Sequence, residues 1–172
     1  MSTVHPFFGK LTAQGAWNYR LEFALNSLSG LGADASETLT LNASDCTCAL
    51  LNTPEIPIPF INLDAKMPGR VVIAPMTCTL IEAYNKDAAD VIERWHKLVV
   101  NPRTGEMGLM EDFLADGYVI ILYPNRTVYK TYEVKGCFPT DPGAVTRGWP
   151  NAAYATRQVT FSVNEVWPPS SQ

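Results

Sequence analysis

The sequence predicts an α+β domain, mainly an antiparallel β sandwich or barrel with one flanking α-helix. Two observations predict it. Several segments alternate apolar and polar residues with a period of two, as strands buried on one side do; WNYRLEFAL at 17–25 and RQVTFSVNEVW at 157–167 are the clearest. Only the segment 87–100 carries an apolar stripe of helical period. The 172 residues suit one domain. A chain of this length buries about 70% of the surface its unfolded form exposes, so it needs no disulfide or metal to hold it. The expected organisation is an N-terminal arm at 1–16, a β domain at 17–167 and a short C-terminal tail at 168–172.

Residues 1–16 mix Pro6, Gly9 and Gly15 with the paired Phe7 and Phe8, which reads as an arm rather than a regular element. In 17–25, Trp17, Tyr19, Leu21, Phe23 and Leu25 alternate with Asn18, Arg20, Glu22 and Ala24, giving a half-buried strand. After a loop at 27–36, Leu39 and Leu41 among threonines predict a second strand over 37–42, continuing through 47–51. The stretch TPEIPIPFINLDAKMPGR, 53–70, then brings Pro54, Pro57, Pro59 and Pro68. Proline lacks a backbone donor, so this segment is expected to form neither a helix nor a central strand. Its Ile56, Ile58, Phe60 and Ile61 make it an extended apolar loop, either tucked against the domain or reserved for a neighbouring subunit.

Residues 71–84 read as a strand interrupted at Pro75, and Met76, Cys78, Leu80 and Glu82 alternate with Thr77, Thr79 and Ile81 in its better half. The helix follows: Ala88, Val91, Ile92, Trp95, Leu98 and Val99 stand at offsets 0, 3, 4, 7, 10 and 11. Asp87, with Asp90 three residues on, matches an N-cap, and Asn101-Pro102 stops the helix. A long connection at 101–117 leaves Met107, Leu109, Met110, Phe113 and Leu114 exposed unless another surface covers them. The run YVIILY at 118–123, a turn at Pro124-Asn125 and a returning strand at 127–135 form a hairpin, which halts at Gly136-Cys137-Phe138-Pro139. In the last strand, Val159, Phe161, Val163 and Trp167 share one face, while Gln158, Thr160, Ser162 and Asn164 share the other. The sum is six or seven antiparallel strands with a core behind them and water in front.

Composition narrows the function. A net charge of −4 and a pI near 5.1 oppose a grip on nucleic-acid phosphates, and the lysines and arginines are dispersed singly. The start MSTVHPFFGK lacks the charged-then-apolar order of a secretory signal, and no stretch has the length of a membrane span, so folding in a cytoplasm is expected. Cys46, Cys48, Cys78 and Cys137 read as buried thiols packing as small hydrophobes, because a single C-x-C supplies only half of a tetrahedral zinc site. His5 and His96 have no triad partner at a recognisable spacing. Glu111, Asp112 and Asp116 form an acidic cluster of the kind that usually faces solvent, and Gly105 to Gly108 lacks the lysine of a phosphate loop. No cofactor or metal site and no enzymatic chemistry is expected. The two apolar loops fit an assembly subunit better than an enzyme, and a small β-barrel binding an apolar ligand gives them no purpose.

The order of elements resembles that of the tail tube proteins of contractile-tailed bacteriophages. The resemblance rests on the helix around Trp95, the M-E-D-F-x-x-D-G stretch at 110–117, the corner Val134-Lys135-Gly136-Cys137-Phe138-Pro139-Thr140, and the final V-T-F-S-V-N-x-V-W at 159–167. It covers 87–167 specifically and the first half only in strand order; the proline-rich loop departs from the family pattern. It implies a tail-tube-like fold without an active site. Hexameric rings would join their sheets around a channel and stack into a hollow tube for DNA passage during ejection. Implied partners are further copies of the chain and the sheath, baseplate, tape-measure and tail-terminator proteins; the implied location is the virion tail, built in the host bacterial cytoplasm. Phe60, Met67, Met110 and Phe113 are the candidate ring contacts, and Gln158, Thr160, Ser162 and Asn164 the candidate lumen-facing residues. A baseplate tube initiator and a secreted tube protein like that of type VI secretion are the alternatives.

Overall fold

The computed structural model describes residues 19–25, 28, 30–48, 51–61, 63–83, 87–146 and 155–167. The expected arm at 1–16, Trp17, Asn18 and the tail at 168–172 lie outside the described residues. The chain order is β1 (Tyr19–Phe23), α1 (Ala35–Asn42), β2 (Ala43–Thr47), β3 (Leu51–Asn52), β4 (Glu55–Phe60), β5 (Leu63–Pro68), β6 (Val72–Ile73) and β7 (Met76–Ile81). Then come α2 (Ala88–Val99), α3 (Met110–Phe113), β8 (Ala115–Leu122), β9 (Val128–Asp141), β10 (Val145–Thr146), β11 (Thr156–Ser162) and β12 (Glu165–Trp167).

An eight-stranded antiparallel sheet runs β1-β8-β9-β11-β7-β2, with β10 on β11 and β12 on β9; β3-β6 and β4-β5 form two further ladders. The sheet coils until its end strands β1 and β2 approach each other, which curls it around one core. That core is the set the period-two pattern picks out: Leu21 and Phe23 from β1, Met76, Cys78 and Leu80 from β7, and Val159 and Phe161 from β11 are all buried. Helix α2 covers it. Asp87 accepts hydrogen bonds from the Ala89 and Asp90 amides, the expected N-cap, and Ala88, Val91, Ile92 and Trp95 face inward. The Trp95 ring meets Phe23 at 5.5 Å and Phe161 at 5.6 Å, in edge-on and tilted contacts that aromatic quadrupoles favour. Its indole N–H donates to the Phe113 carbonyl, 2.8 Å away, so the buried nitrogen is satisfied.

Four segments differ from the sequence expectation: the stretch at 53–70, which pairs as β4 and β5, and three in the body of the domain. Residues 35–42 form the helix α1, not a strand. The buried positions are Ala35, Thr38, Leu39 and Asn42, at helical spacing, whereas Leu41 is exposed. Two of those four are polar, so the Leu-Thr alternation hid the helical period; Asn42 Nδ2 donates to the Thr38 carbonyl and so is buried with a partner. In the second segment, the connection at 101–117 condenses into the one-turn α3 and the first residues of β8.

The third is the expected stop at 136–139. The strand does not stop there. Strand β9 runs on through Asp141, pairing with β8 in its first part and with β11 in its last. The β8 register shifts around Gly136, whose φ of +62° suits glycine and whose amide donates to Asp116 Oδ1 at 3.0 Å; β8 pairing ends at Cys137 and β11 pairing begins at Phe138. A Cβ there would fall 2.7 Å from Asn164 Nδ2. Cys137 and Pro139 are buried, and Phe138 meets Phe113 edge-on at 5.4 Å. Burial, then the Asp116 carboxylate, pushes the Cys137 thiol up to about 12.

Candidate functional site

Two surfaces stand out on this frame, a polar face of the sheet and an exposed hairpin. The polar face comes from strand register. Across β2, β7 and β11, Asp45 opposes Thr79, which opposes Gln158; Thr47 opposes Thr77, which opposes Thr160, which opposes Asp141 on β9. The intervening rows, Cys46–Cys78–Val159 and Met76–Phe161–Pro139, point into the core. Alternation in one strand thus propagates sideways into an outer surface of hydroxyl, amide and carboxylate groups. Those two outer rows contain Asp45 and Asp141 but no lysine or arginine. Ser44 Oγ donates to the Thr79 carbonyl and Thr140 Oγ1 to the Thr160 carbonyl, tying hydroxyls down to the sheet.

Gln158, Thr160 and Ser162 alternate with the buried Val159 and Phe161, with Gln158 exposed and the other two half-buried. Asn164 lies off this row. Strand β11 ends at Ser162, and Asn164 occupies the turn before β12, its amide donating to the Lys135 carbonyl and its side chain lying against Gly136. Trp167, expected on the inner face, is 54% exposed on β12 for the same reason.

The segment at 53–70 is a strand pair rather than a loop, and the placement of its prolines explains why that is possible. The Gly69 amide donates to the Pro54 carbonyl, so the hydrogen-bonded pairs of the β4–β5 register are Ile56↔Met67, Ile58↔Ala65 and Phe60↔Leu63. Pro57, Pro59 and Pro68 occupy the alternate positions, where an N–H would point away from the partner strand. The same register sorts the faces. Ile56, Ile58, Phe60, Leu63, Ala65 and Met67 make one wholly apolar face; Glu55, Pro57, Pro59, Asp64, Lys66 and Pro68 make the other, with Lys66 salt-bridged to Glu55. All twelve residues are exposed. At the tip, Ile61 is 92% exposed with a φ of +47°, a strained conformation for a β-branched side chain.

Phe60 and Met67 therefore share one exposed apolar face, and Met110 is exposed beside Met107 and Leu109 on a second apolar patch. Phe113 does not join them. It is buried against Phe138, because α3 turns it into the groove at the β9 bend. Glu111, Asp112 and Asp116 of the acidic cluster are all exposed, and the Asp116 carboxylate accepts from the Gly136 backbone amide at that bend. His96 is half-buried on α2, and His5 lies outside the described residues. No set of three or more His, Cys, Asp or Glu that could hold a metal ion occurs among the described residues. None of their helices is long and apolar enough to cross a membrane.

Sequence reasoning missed Arg157. It is buried, with Nε 3.2 Å from Glu82 Oε1 and both terminal nitrogens 3.2 Å from Glu93 Oε1; Nη1 also donates to the Pro142 carbonyl. One guanidinium of β11 thus joins α2 to the residue that follows β7, beneath the polar face. Its inward position follows from the Ala43–Leu80–Arg157 row, a clue available only once register is known.

No protein-family model and no curated protein matches the chain. Solved structures do match its fold, which is that of a coiled, mainly antiparallel β domain of the tail-tube type. A chain of the sheath–tube complex of an extracellular contractile injection system (PVC), in the extended state, matches with a TM-score of 0.63 at 12% identity, covering 96% of this chain and 97% of its own. A chain of the anti-feeding prophage (AFP) baseplate matches with a TM-score of 0.64 at 6% identity, covering 91% and 95%. An Hcp protein crystal structure gives 0.50 at 12% identity, covering 86% and 89%. The fold implied by the tail-tube resemblance is the fold found.

Proposed function

We propose that this chain is the structural subunit of the inner tube of a contractile tail, assembling with copies of itself into hexameric rings that stack into a hollow channel. The observation that carries the reading is the β4–β5 hairpin, which holds a wholly apolar face in solvent on a fold shared end to end with a sheath–tube complex chain. An isolated two-stranded hairpin is marginal in water, so its apolar face calls for a partner surface. With Pro57 and Pro59 on its outer edge, β4 cannot accept another strand by full ladder pairing. The hairpin then docks through side chains, Phe60 and Met67 among them, against the next ring, and Met110 lies on a second contact. Gln158, Thr160 and Ser162 line the channel.

A lumen without cations along those rows suits a passage for DNA, because phosphates gain little counterion release from it and slide without sticking. In this reading the tube lies in a virion tail assembled in a bacterial cytoplasm, enclosed by a sheath protein and bounded by baseplate, tape-measure and terminator proteins. A tube-initiating baseplate protein is the second reading, favoured by the match to a baseplate chain. Copy number per particle separates the two: a tube subunit is present in many rings, an initiator in one.

Negative-stain electron microscopy of the purified chain at high concentration is expected to show rings or hollow tubes. The double substitution Phe60→Ser with Leu63→Ser leaves rings but abolishes stacking. A chain that stays monomeric at every concentration would overturn the proposal.

A further inference from the structure

The exposed excursion of the chain is rooted between two facing thiols. Strands β2 and β7 pair in the register Cys46↔Cys78 and Thr47↔Thr77. Beyond that point the chain leaves the sheet as β3–β6 and then β4–β5 before it returns. The two Sγ atoms stand 2.8 Å apart. Directly opposed residues of an antiparallel pair have Cα separations of about 4.5–5.5 Å, within the span of a disulfide. Cys46 is half-buried and so within reach of a dissolved reagent, whereas Cys78 is fully buried. A hydrogen bond with Cys46, and then burial, push the Cys78 thiol far above its ordinary range. A polar group lies alongside them: the Tyr19 hydroxyl is buried with no hydrogen-bond partner among the described residues, and Cys46, Cys78 and Asp45 are its electrostatic neighbours.

We propose that Cys46 and Cys78 form a reversible disulfide, a clamp at the root of the hairpin arm, with a small-molecule disulfide as the oxidant. The Cys46 thiolate attacks one sulfur of the reagent, whose S–S bond breaks; the first reagent thiolate leaves and takes up the Cys46 proton. Cys78 Sγ then attacks Cys46 Sγ in the mixed disulfide. Its S–H proton goes to the second departing thiolate. In sum, two protein S–H bonds give one protein S–S bond, and the reagent disulfide takes both electrons and both protons to become two thiols. In a reducing compartment the clamp is open, and in an oxidising one it is closed. Cys137, at the β9 bend, takes no part. The clamp goes beyond the tube reading and does not depend on it.

The test incubates the folded full-length chain with oxidised glutathione in about tenfold excess, alkylates the remaining thiols and maps the peptides by mass spectrometry. Two of the four thiols are expected to disappear into one linkage joining Cys46 to Cys78. Amide hydrogen exchange over 43–47 and 76–80 is expected to slow about tenfold, because the cross-link restrains opening of the edge strand. Cys46→Ser, at a half-buried site, forms no bridge, and Cys48→Ser forms it as the parent chain does. Four free thiols in the oxidised parent chain, a persistent glutathione adduct on Cys46, or a bridge to Cys48 or Cys137 overturns the proposal. Unchanged exchange in a bridged chain overturns the clamp.

Discussion

Strands β7 and β4 both alternate apolar residues with others, yet they end in opposite environments. In β7, Met76, Cys78 and Leu80 are at most 1% exposed. In β4, Ile56, Ile58 and Phe60 are 53%, 39% and 67% exposed. Both lie in regular antiparallel ladders. The difference is what lies over the apolar face: β7 is covered by a core that includes Phe23, Trp95 and Phe161, while β4 and β5 have chiefly each other. Local pattern decides which residues share a face; only long-range packing decides whether that face is dry. On the proposed tube reading, an uncovered face of this kind is a contact surface rather than a failure of the core.

Substitutions on the two sides should separate sharply. Trp95→Ala removes the ring joining α2 to β1 and β11 together with the hydrogen bond to Phe113, and is expected to cost about 3–5 kcal/mol in denaturant unfolding. A cost under about 1 kcal/mol would mean that α2 does not close the core. Arg157→Ala comes next, at about 3 kcal/mol, because it leaves Glu82 only 13% exposed beside a buried void. An Arg157→Ala chain as stable as the parent in the same titration would remove the guanidinium from its role in joining Glu82 to α2. Gly136→Ala is expected to lose about 2 kcal/mol from its left-handed backbone and from the contact with Asn164. Its signature is local, with amide exchange rising around 134–141, so a uniform rise across the sheet would contradict the bend. Phe60→Ser is the smallest, within about 0.5 kcal/mol of the parent in the isolated chain, since its ring is already in water. A large loss there would show that the hairpin is packed on its own subunit.

Much of the body was legible from sequence because its signals are local. The stripe from Ala88 to Trp95 and the cap at Asp87 mark α2 correctly, and the alternations at 19–23, 76–81 and 157–162 assign the inward residues. The errors share a cause. In α1 the buried face includes Thr38 and Asn42, so hydrophobicity alone could not show the helical period. At 54–68 the prolines argue against a helix or a central strand, and neither forms; the pairing of β4 with β5 stayed hidden because whether each missing N–H faces a partner is a property of register. Phe113 looked like a loop aromatic open to a neighbour until α3 folded it onto Phe138.

The corner at 134–140 carries the same lesson. Its sequence permits unusual dihedrals at Gly136 and assigns Cys137 and Phe138 to packing. Its sequence does not settle that β9 passes here from β8 to β11 and so joins both parts of the sheet. By itself the chain determines its strand faces, its principal helix and its acidic, cation-poor character, since these follow from periodicity, capping and composition. Tertiary structure alone decides which strands are neighbours, and with that the polar rows across β2, β7 and β11, the inward Arg157 and the facing of Cys46 with Cys78. The reason is physical: a strand's own period fixes which side each residue takes, but the groups beside it come from segments distant in sequence.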